Sequence, residues 1–327
     1  MEVKIKNFLL NMELGKLQSH QKMGVIPLTT AESNGPEYVT LKQALEKNFL
    51  TIKEISESGS VPELKVINNA EIPVLLLDGE ELSGAKQNRV LNTSILLKKK
   101  SETVIPVSCT EQGRWSYVSD RFDDSNVVMS PRIRRKKARS VSASLRESQE
   151  YRSDQSEVWE DIDQMTAEAE VESATGAMKD VFEERRKDLD RYMKAFQYTP
   201  GQKGILVFLD GEAAGFDMVS RDSAYKELHS KLVKSYAMEA VLLKNGKEVK
   251  NGMKKAKDFI NQVTGCEGKK YESAGSGWDH RFEGDEIVGS ALVYGRNVIH
   301  AAFFKMTEEE KAGSMSSLGR RKRFRTG

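Results

Sequence analysis

Two short stretches of this 327-residue sequence gather side chains that could do chemistry. The first is Gly79-Glu80-Glu81-Leu82-Ser83-Gly84-Ala85-Lys86-Gln87-Asn88-Arg89, which follows the apolar residues 74–77. Glu80 could act as a base or hold a ribose hydroxyl, and Gln87 and Asn88 each bring donor and acceptor groups. Arg89 offers a planar fork that suits phosphate or carboxylate. The same composition also suits a solvated loop entering the next strand. The second stretch is Ser108-Cys109-Thr110-Glu111-Gln112-Gly113-Arg114-Trp115, at the end of the apolar residues 104–107. Cys109 could supply a thiolate, Glu111 an acid or base, Arg114 an anion holder and Trp115 a stacking surface. The structural alternative is a buried strand cysteine, a Glu111–Arg114 surface pair and a core tryptophan. A cysteine without a visible basic partner is usually a small core residue.

Other catalytic signatures are missing. No Gly-x4-Gly-Lys-Ser/Thr loop and no nucleophile elbow is present. Gly275-Ser276-Gly277 runs into Trp278-Asp279-His280 rather than opening a helix, so it reads as a loop and not a dinucleotide fingerprint. His20, His229, His280 and His300 never recur at zinc-ligand spacing, and no metal site is expected. His300, between Ile299 and Ala301, reads as a satisfied core or edge histidine, with a catalytic role as the alternative.

The elements that must position these groups follow from periodicity. Residues 1–118 consist mostly of short apolar runs bounded by Gly, Pro, Asn or Asp, the pattern of strands and hairpins. A helix is expected over 40–48, capped by Thr40. Residues 119–153 have few large apolar side chains and carry Arg132, Arg134, Arg135, Lys136, Lys137 and Arg139, which predicts a long exposed connection. Helices are expected over 154–170, 173–196 and 223–243, and hairpins around Asp210-Gly211 and Gly295-Arg296-Asn297. The basic tail 307–327 has almost no core-forming residue and reads as disordered. The resulting expectation is an α+β fold. A strand-rich half (1–118) is joined through 119–153 to a helix-plus-hairpin half (154–306) in one compact unit. Residues 74–84, VLLLDGEELSG, echo 206–215, LVFLDGEAAG. Convergence of strand-turn-strand units on Asp-Gly explains this, and an old duplication placing equivalent hairpins is the alternative.

Composition narrows the function classes. Lys+Arg 51 against Asp+Glu 49 gives a net charge of +2, too small for a whole-protein field that draws in nucleic acid. Contact with nucleic acid would fall to the basic segments 132–139 and 320–325. Two distant cysteines make no disulfide framework. No apolar run approaches 18 residues, and the N-terminal apolar stretch is interrupted by Asn11 and Glu13, so neither a membrane span nor a signal peptide is expected and the cytoplasm is the default.

Several stretches together resemble the ADP-ribosylglycohydrolase- and rhodanese-phosphatase-associated protein domain family. They are the segment from LKQALEKNFL through LDGEELSGAKQNRVLNTSILL, then VIPVSCTEQGRW, SLRESQEYRSDQSEVWEDI, ESATGAM, GILVFLDGEAAGFDM, KLVKSYAMEA and ALVYGRNVIHAAFF. The resemblance implies an α+β domain working around NAD, ADP-ribose or related nucleotides. Its polar motif positions fall on Glu80, Gln87, Asn88, Arg89, Cys109, Glu111, Arg114, Trp115, Asp154, Gln155 and His300. Glu80, Cys109, Glu111 and His300 would then be the catalytic candidates and the others ligand-binding. Two functions follow: a protein that binds or processes an ADP-ribose-like nucleotide, or a non-catalytic interaction module whose polar motifs are structural. The first expects both clusters in one open pocket, with no cofactor specified; the second expects closed pairs.

Overall fold

The computed structural model describes residues 1–31, 34–56 and 59–307. Its centre is a nine-stranded antiparallel sheet in the order Met12–Leu14, Met23–Thr30, Gly204–Leu209, Glu212–Val219, Asn297–Lys305, Ile287–Tyr294, Trp278–Glu283, Glu267–Glu272, with Gln18–His20 also paired to Met23–Thr30. Alternation explains how one sheet serves two cores: successive strand side chains point to opposite faces. Ile205 and Val207 enter one core with Val25, Val219 and Leu292, whereas Leu206 and Phe208 enter the other with Ile26, Phe216 and Phe303. The strand Met23–Thr30 comes from the N-terminal half and pairs along its length with Gly204–Leu209. The two halves therefore share a sheet, and the fold is α+β in one compact unit.

A six-stranded sheet runs Phe122–Val128, Glu80–Gly84, Arg89–Leu91, Ser101–Cys109, Glu63–Asn68, Leu50–Glu54. A three-stranded sheet runs Ile95–Leu97, Val74–Leu76, Val39–Thr40. Together they enclose a third core of Val74, Leu76, Leu82, Leu91, Ile105 and neighbours. Among the described residues the helices are α1 (Val3–Leu10), α2 (Leu41–Glu46), α3 (Pro131–Glu147), α4 (Gln155–Glu168), α5 (Met178–Glu184), α6 (Arg186–Ala195), α7 (Asp222–Leu242) and α8 (Gly252–Thr264). Thr40 and Gln43 form a reciprocal capping box on α2. The helix expected over 173–196 is divided at Arg185 into α5 and α6.

The expected exposed connection over 119–153 is overturned. Its first part is the strand Phe122–Val128, and its second is α3 with Pro131 in the first turn. Arg134 and Lys137 of α3 are fully buried, Arg135 nearly so, and Ile133, Val141 and Leu145 lie in the core. Charge density suggested solvent, but these cations meet buried carboxylates. Within this run Arg132 pairs with Glu168, Lys136 with Asp161, and Arg134 and Lys137 with Asp78. The tail, apart from Thr307, lies outside the described residues.

The two Leu-Asp-Gly-Glu turns are not equivalent. Asp210 and Gly211 both take positive φ, 50° and 76°, and close a two-residue hairpin. At Asp78-Gly79 only Gly79 does, and the chain leaves the three-stranded sheet there for the six-stranded one. Gly79 has φ 84°, and a Cβ on it would lie 2.8 Å from Arg134 Cδ. Gly79→Ala should therefore cost about 2 kcal/mol or more, through left-handed strain plus displacement of Arg134. Gly176→Ala, also at positive φ but with nothing within 4 Å, isolates the backbone part. Urea unfolding of both variants checks this, and equal losses would show that Arg134 yields freely.

Candidate functional site

The sequence candidates divide among three buried polar clusters. The first surrounds Cys109, whose strand Ser101–Cys109 pairs with Arg89–Leu91 so that Cys109 faces Arg89 in register. Gln87 Oε1 accepts from both Arg89 Nη1 at 3.0 Å and the Cys109 thiol at 3.2 Å. Gln155, at the start of α4, uses its side-chain amide as a strand-like partner: Oε1 accepts from Cys109 N at 2.7 Å and Nε2 donates to Cys109 O at 2.9 Å. Asp154 caps α4, its carboxylate accepting from the Ser156 and Glu157 amides. Burial pushes the Cys109 thiol above its ordinary pKa, against the Glu111 amide and the Arg89 charge. Cys109 is thus a buried thiol rather than a poised thiolate.

Glu111 and Arg114 belong to the same cluster. Arg114 Nε and Nη2 donate to the two Glu111 carboxylate oxygens at 2.8 and 2.5 Å. Arg114 Nη1 donates to Ala85 O and Ser116 O at 2.7 and 2.9 Å, and Nη2 reaches Asn88 Oδ1 at 3.3 Å. The guanidinium is spent on protein acceptors. Glu111 also accepts from the Asn88 amide and the Thr175 hydroxyl. Burial would raise the Glu111 carboxyl, but these donors, Arg114 foremost, hold it below its ordinary pKa. The result is a clamp across residues 84–88 and 111–116, from which Trp115, Tyr117 and Val118 project about half exposed or more. Arg89 differs from Arg114. It is fully buried, its Nε and Nη2 have no hydrogen-bond partner, and Glu54 lies 3.8 Å from Nη2. Its guanidinium carbon stands 5.7 Å from the Trp115 ring centroid. Burial lowers the Arg89 pKa against the attraction of Cys109 and Glu54.

Glu80 is held elsewhere. Its Oε2 accepts from the Leu77 amide at 2.8 Å and its Oε1 from Lys231 of α7 at 2.7 Å, with Lys231 also bridging to Asp124. This closes the turn at Asp78-Gly79 and ties it to α7. Its neighbour Glu81 points the other way and accepts from the Thr110 hydroxyl at 2.6 Å. Burial pushes the Glu81 carboxyl up to about 7, with the hydrogen bond opposing.

His300 anchors the third cluster. Arg134 donates to both oxygens of Asp217 at 2.7 and 2.9 Å, and the Tyr236 hydroxyl donates to Asp217 at 2.8 Å. Lys137 and Arg134 also hold Asp78. Ser94 Oγ accepts from the Asp78 amide and lies 2.8 Å from His300 Nδ1, while His300 Nε2 lies 3.3 Å from Asp217. The Ser94 hydroxyl hydrogen is then directed to Nδ1, and Nε2–H to the carboxylate. Ser, His and Asp stand in the order of a hydrolase relay. Here Arg134 pairs with Asp217, the amide of Asp78 engages Ser94, and all three residues are enclosed. Burial would raise the Asp217 carboxyl, but Arg134 and His300 outweigh it and keep it well below the ordinary range.

Of the sequence candidates, Gln87, Asn88, Arg89, Cys109, Glu111, Arg114, Trp115 and Gln155 therefore come together. Glu80 and His300 make their hydrogen bonds to other partners. Sequence reasoning gave no site role to Glu54, Asp78, Glu81, Ser94, Asp217 and Lys231, and it took Arg134 and Lys137 for exposed cations. One signal was available: Asp217 stands inside the apolar run Phe216-Asp217-Met218-Val219, and a carboxylate there needs a buried cation. No group of three or more His, Cys, Asp or Glu among the described residues could hold a metal ion, and no helix among them is long and apolar enough to cross a membrane.

An α+β fold whose polar motifs sit at the junctions of its sheets defines the class of protein. Residues 11–304 match the family model described as the ARG and Rhodanese-Phosphatase-superfamily-associated Protein domain, and the chain belongs to that family. No curated protein and no solved structure matches the chain.

The buried carboxyls set opposite pH limits. Glu81 binds its proton more tightly folded than at its ordinary value of 4.5. Its contribution is present below that value and is lost as pH rises through about 7, a change of about 3 kcal/mol at most. Asp217, Asp78 and Glu111 are shifted down, so their contribution is present above the ordinary carboxylate range and lost in acid. Urea unfolding at pH 5 and pH 8 should show wild type losing more stability on the alkaline side than Glu81→Gln. Parallel losses would mean that Glu81 is ionised in the fold.

Proposed function

We propose that this protein is a non-catalytic binding module whose polar motifs are structural and whose recognition surface is the loop that carries Trp115, Tyr117 and Val118. The observation that carries this reading is the state of Arg114. Its N–H groups are all directed to protein acceptors, and they fix a loop without regular secondary structure so that large apolar side chains stay outside. Fixing a contact loop in advance reduces the ordering cost of binding. The candidate catalytic groups lack the matching features: Cys109 is a buried thiol, Glu80 is held by Lys231, and the His300 relay is closed.

An ADP-ribose-like nucleotide is the ligand class that this surface favours. Trp115, 49 % exposed, offers a ring face for a base. The Lys86 ammonium lies 5.3 Å from the Trp115 ring and 5.0 Å from the Tyr117 ring, within reach of a phosphate near the stacked base. The Arg89 guanidinium adds a second positive group beneath Trp115. The family's association with ADP-ribosylglycohydrolase and rhodanese-phosphatase superfamily proteins lends the nucleotide reading general support.

Tryptophan fluorescence titration with ADP-ribose tests both parts. Trp115→Ala should keep the wild-type melting temperature and weaken binding by about 1–3 kcal/mol, the scale of base–aromatic stacking. Arg114→Ala should instead destabilise the fold by about 3–5 kcal/mol, because Glu111 keeps a buried charge without its cation. ADP-ribose should be recovered unchanged after incubation with the protein. Absence of wild-type binding would reject the nucleotide, and its consumption would reject the non-catalytic reading.

A further inference from the structure

A groove of about 900 Å3 lies away from the Trp115 loop, between the last turns of α3, the end of α8, the edge strand Glu267–Glu272 and its neighbour Trp278–Glu283. These two strands pair antiparallel, with Lys269 directly opposite Arg281 and Glu267 directly opposite Glu283. Like charges facing each other across a rung repel. The acidic rung has an answer within the protein, because Arg146 of α3 bonds Glu283 at 2.7 Å. The basic rung is only partly answered. Arg281 is 4 % exposed and donates Nη2 to Asp279 at 2.7 Å, but its Nε–H has no acceptor. An unsatisfied N–H on a buried guanidinium is costly. Lys269, Arg281 and Arg146 all line the groove, and Tyr271 follows on the same strand face as Lys269.

We propose that this groove binds a phosphate group, as the free anion or as a small phosphate monoester, between Lys269, Arg281 and Arg146. Two independent features point to an anion: the facing cations of the basic rung and the missing acceptor at Arg281 Nε. One phosphate oxygen accepts from the Arg281 edge and another from the Lys269 ammonium, so a single ligand answers both. Asp279 already balances the Arg281 charge, so the ligand supplies the missing acceptor at Nε and the counter-charge for Lys269. Arg146 stays shared between Glu283 and the ligand, and Tyr271 supplies a wall for the organic part of a monoester. The groove shares no residue with the Trp115 surface, so this inference stands apart from the nucleotide reading.

The test is a titration of the full chain with inorganic phosphate and, separately, glycerol phosphate at constant ionic strength, with chloride as the control. Thermal melting and the side-chain Nε–H signals of arginine in 1H–15N spectra are the two readouts. At least one of the two phosphates should raise the melting temperature beyond chloride and move one buried arginine Nε–H signal. Lys269→Gln, a change at an exposed side chain, should fold as wild type and weaken that binding about tenfold. Trp115→Ala should bind the same phosphate as wild type does. A wild-type response no larger than chloride for both anions overturns the proposal, as does a Lys269→Gln protein that binds as tightly as wild type.

Discussion

Arg134 and Asp217 meet through two charge-assisted hydrogen bonds, 2.7 and 2.9 Å long, where neither residue has solvent contact. The remainder of the fold is arranged around that pair. Asp217 lies in the central sheet, Arg134 on α3, and Asp78, the second carboxylate on Arg134, at the point where the chain passes between the two smaller sheets. Lys137, one turn further along α3, completes a group of two cations and two carboxylates. A buried ion pair adds little net stability over a well-packed apolar pair, whereas a lone buried charge costs several kcal/mol. The group therefore acts mainly as a constraint on arrangement: α3 can dock only where its two cations reach Asp78 and Asp217.

The same logic recurs at the other junctions. Lys231 brings Glu80 and Asp124 to α7, and Arg114 with Glu111 binds the 84–88 turn to the 111–116 loop. Gln155 pairs its amide with the backbone of Cys109 and attaches α4 to the edge of its strand. Glu80, Glu111, Arg114 and Gln155 each also satisfy a backbone group where a strand or turn ends, which an apolar side chain could not do. A high density of polar motif residues in a sequence thus need not mark an active centre. In this protein Glu80, Arg114 and Gln155 make hydrogen bonds where strands of these sheets begin or end.

That arrangement separates the interior from the surfaces available for binding. Arg114 has its hydrogen-bonding capacity used inside the protein, while Arg89 and Arg281 retain buried N–H groups without acceptors. These two arginines lie beside quite different surroundings, Trp115 in one case and Lys269 in the other. A guanidinium is hard to deprotonate, so burial without full pairing is relieved by an added acceptor rather than by loss of a proton.

The amino-acid sequence by itself determined the α+β class, the capping of α2 by Thr40, the Asp210-Gly211 hairpin and the closing hairpin around Gly295, because periodicity and turn chemistry are local properties. The grouping of Gln87–Arg89 with Cys109–Trp115 was not within its reach, because the neighbour of Ser101–Cys109 is the strand Arg89–Leu91 and not the apolar strand Val74–Leu76 that precedes the first stretch. Other features depended on tertiary structure. Residues 131–147 read as exposed because six cations lie close together, and only the distant Asp78, Asp161, Glu168 and Asp217 make burial tolerable. Glu80 and Glu81 are adjacent and identical in type, yet alternation along one strand sends the first to Lys231 and the second to Thr110. The ionisation and accessibility of a side chain depend on partners brought close by the fold, and separation along the chain carries no record of them.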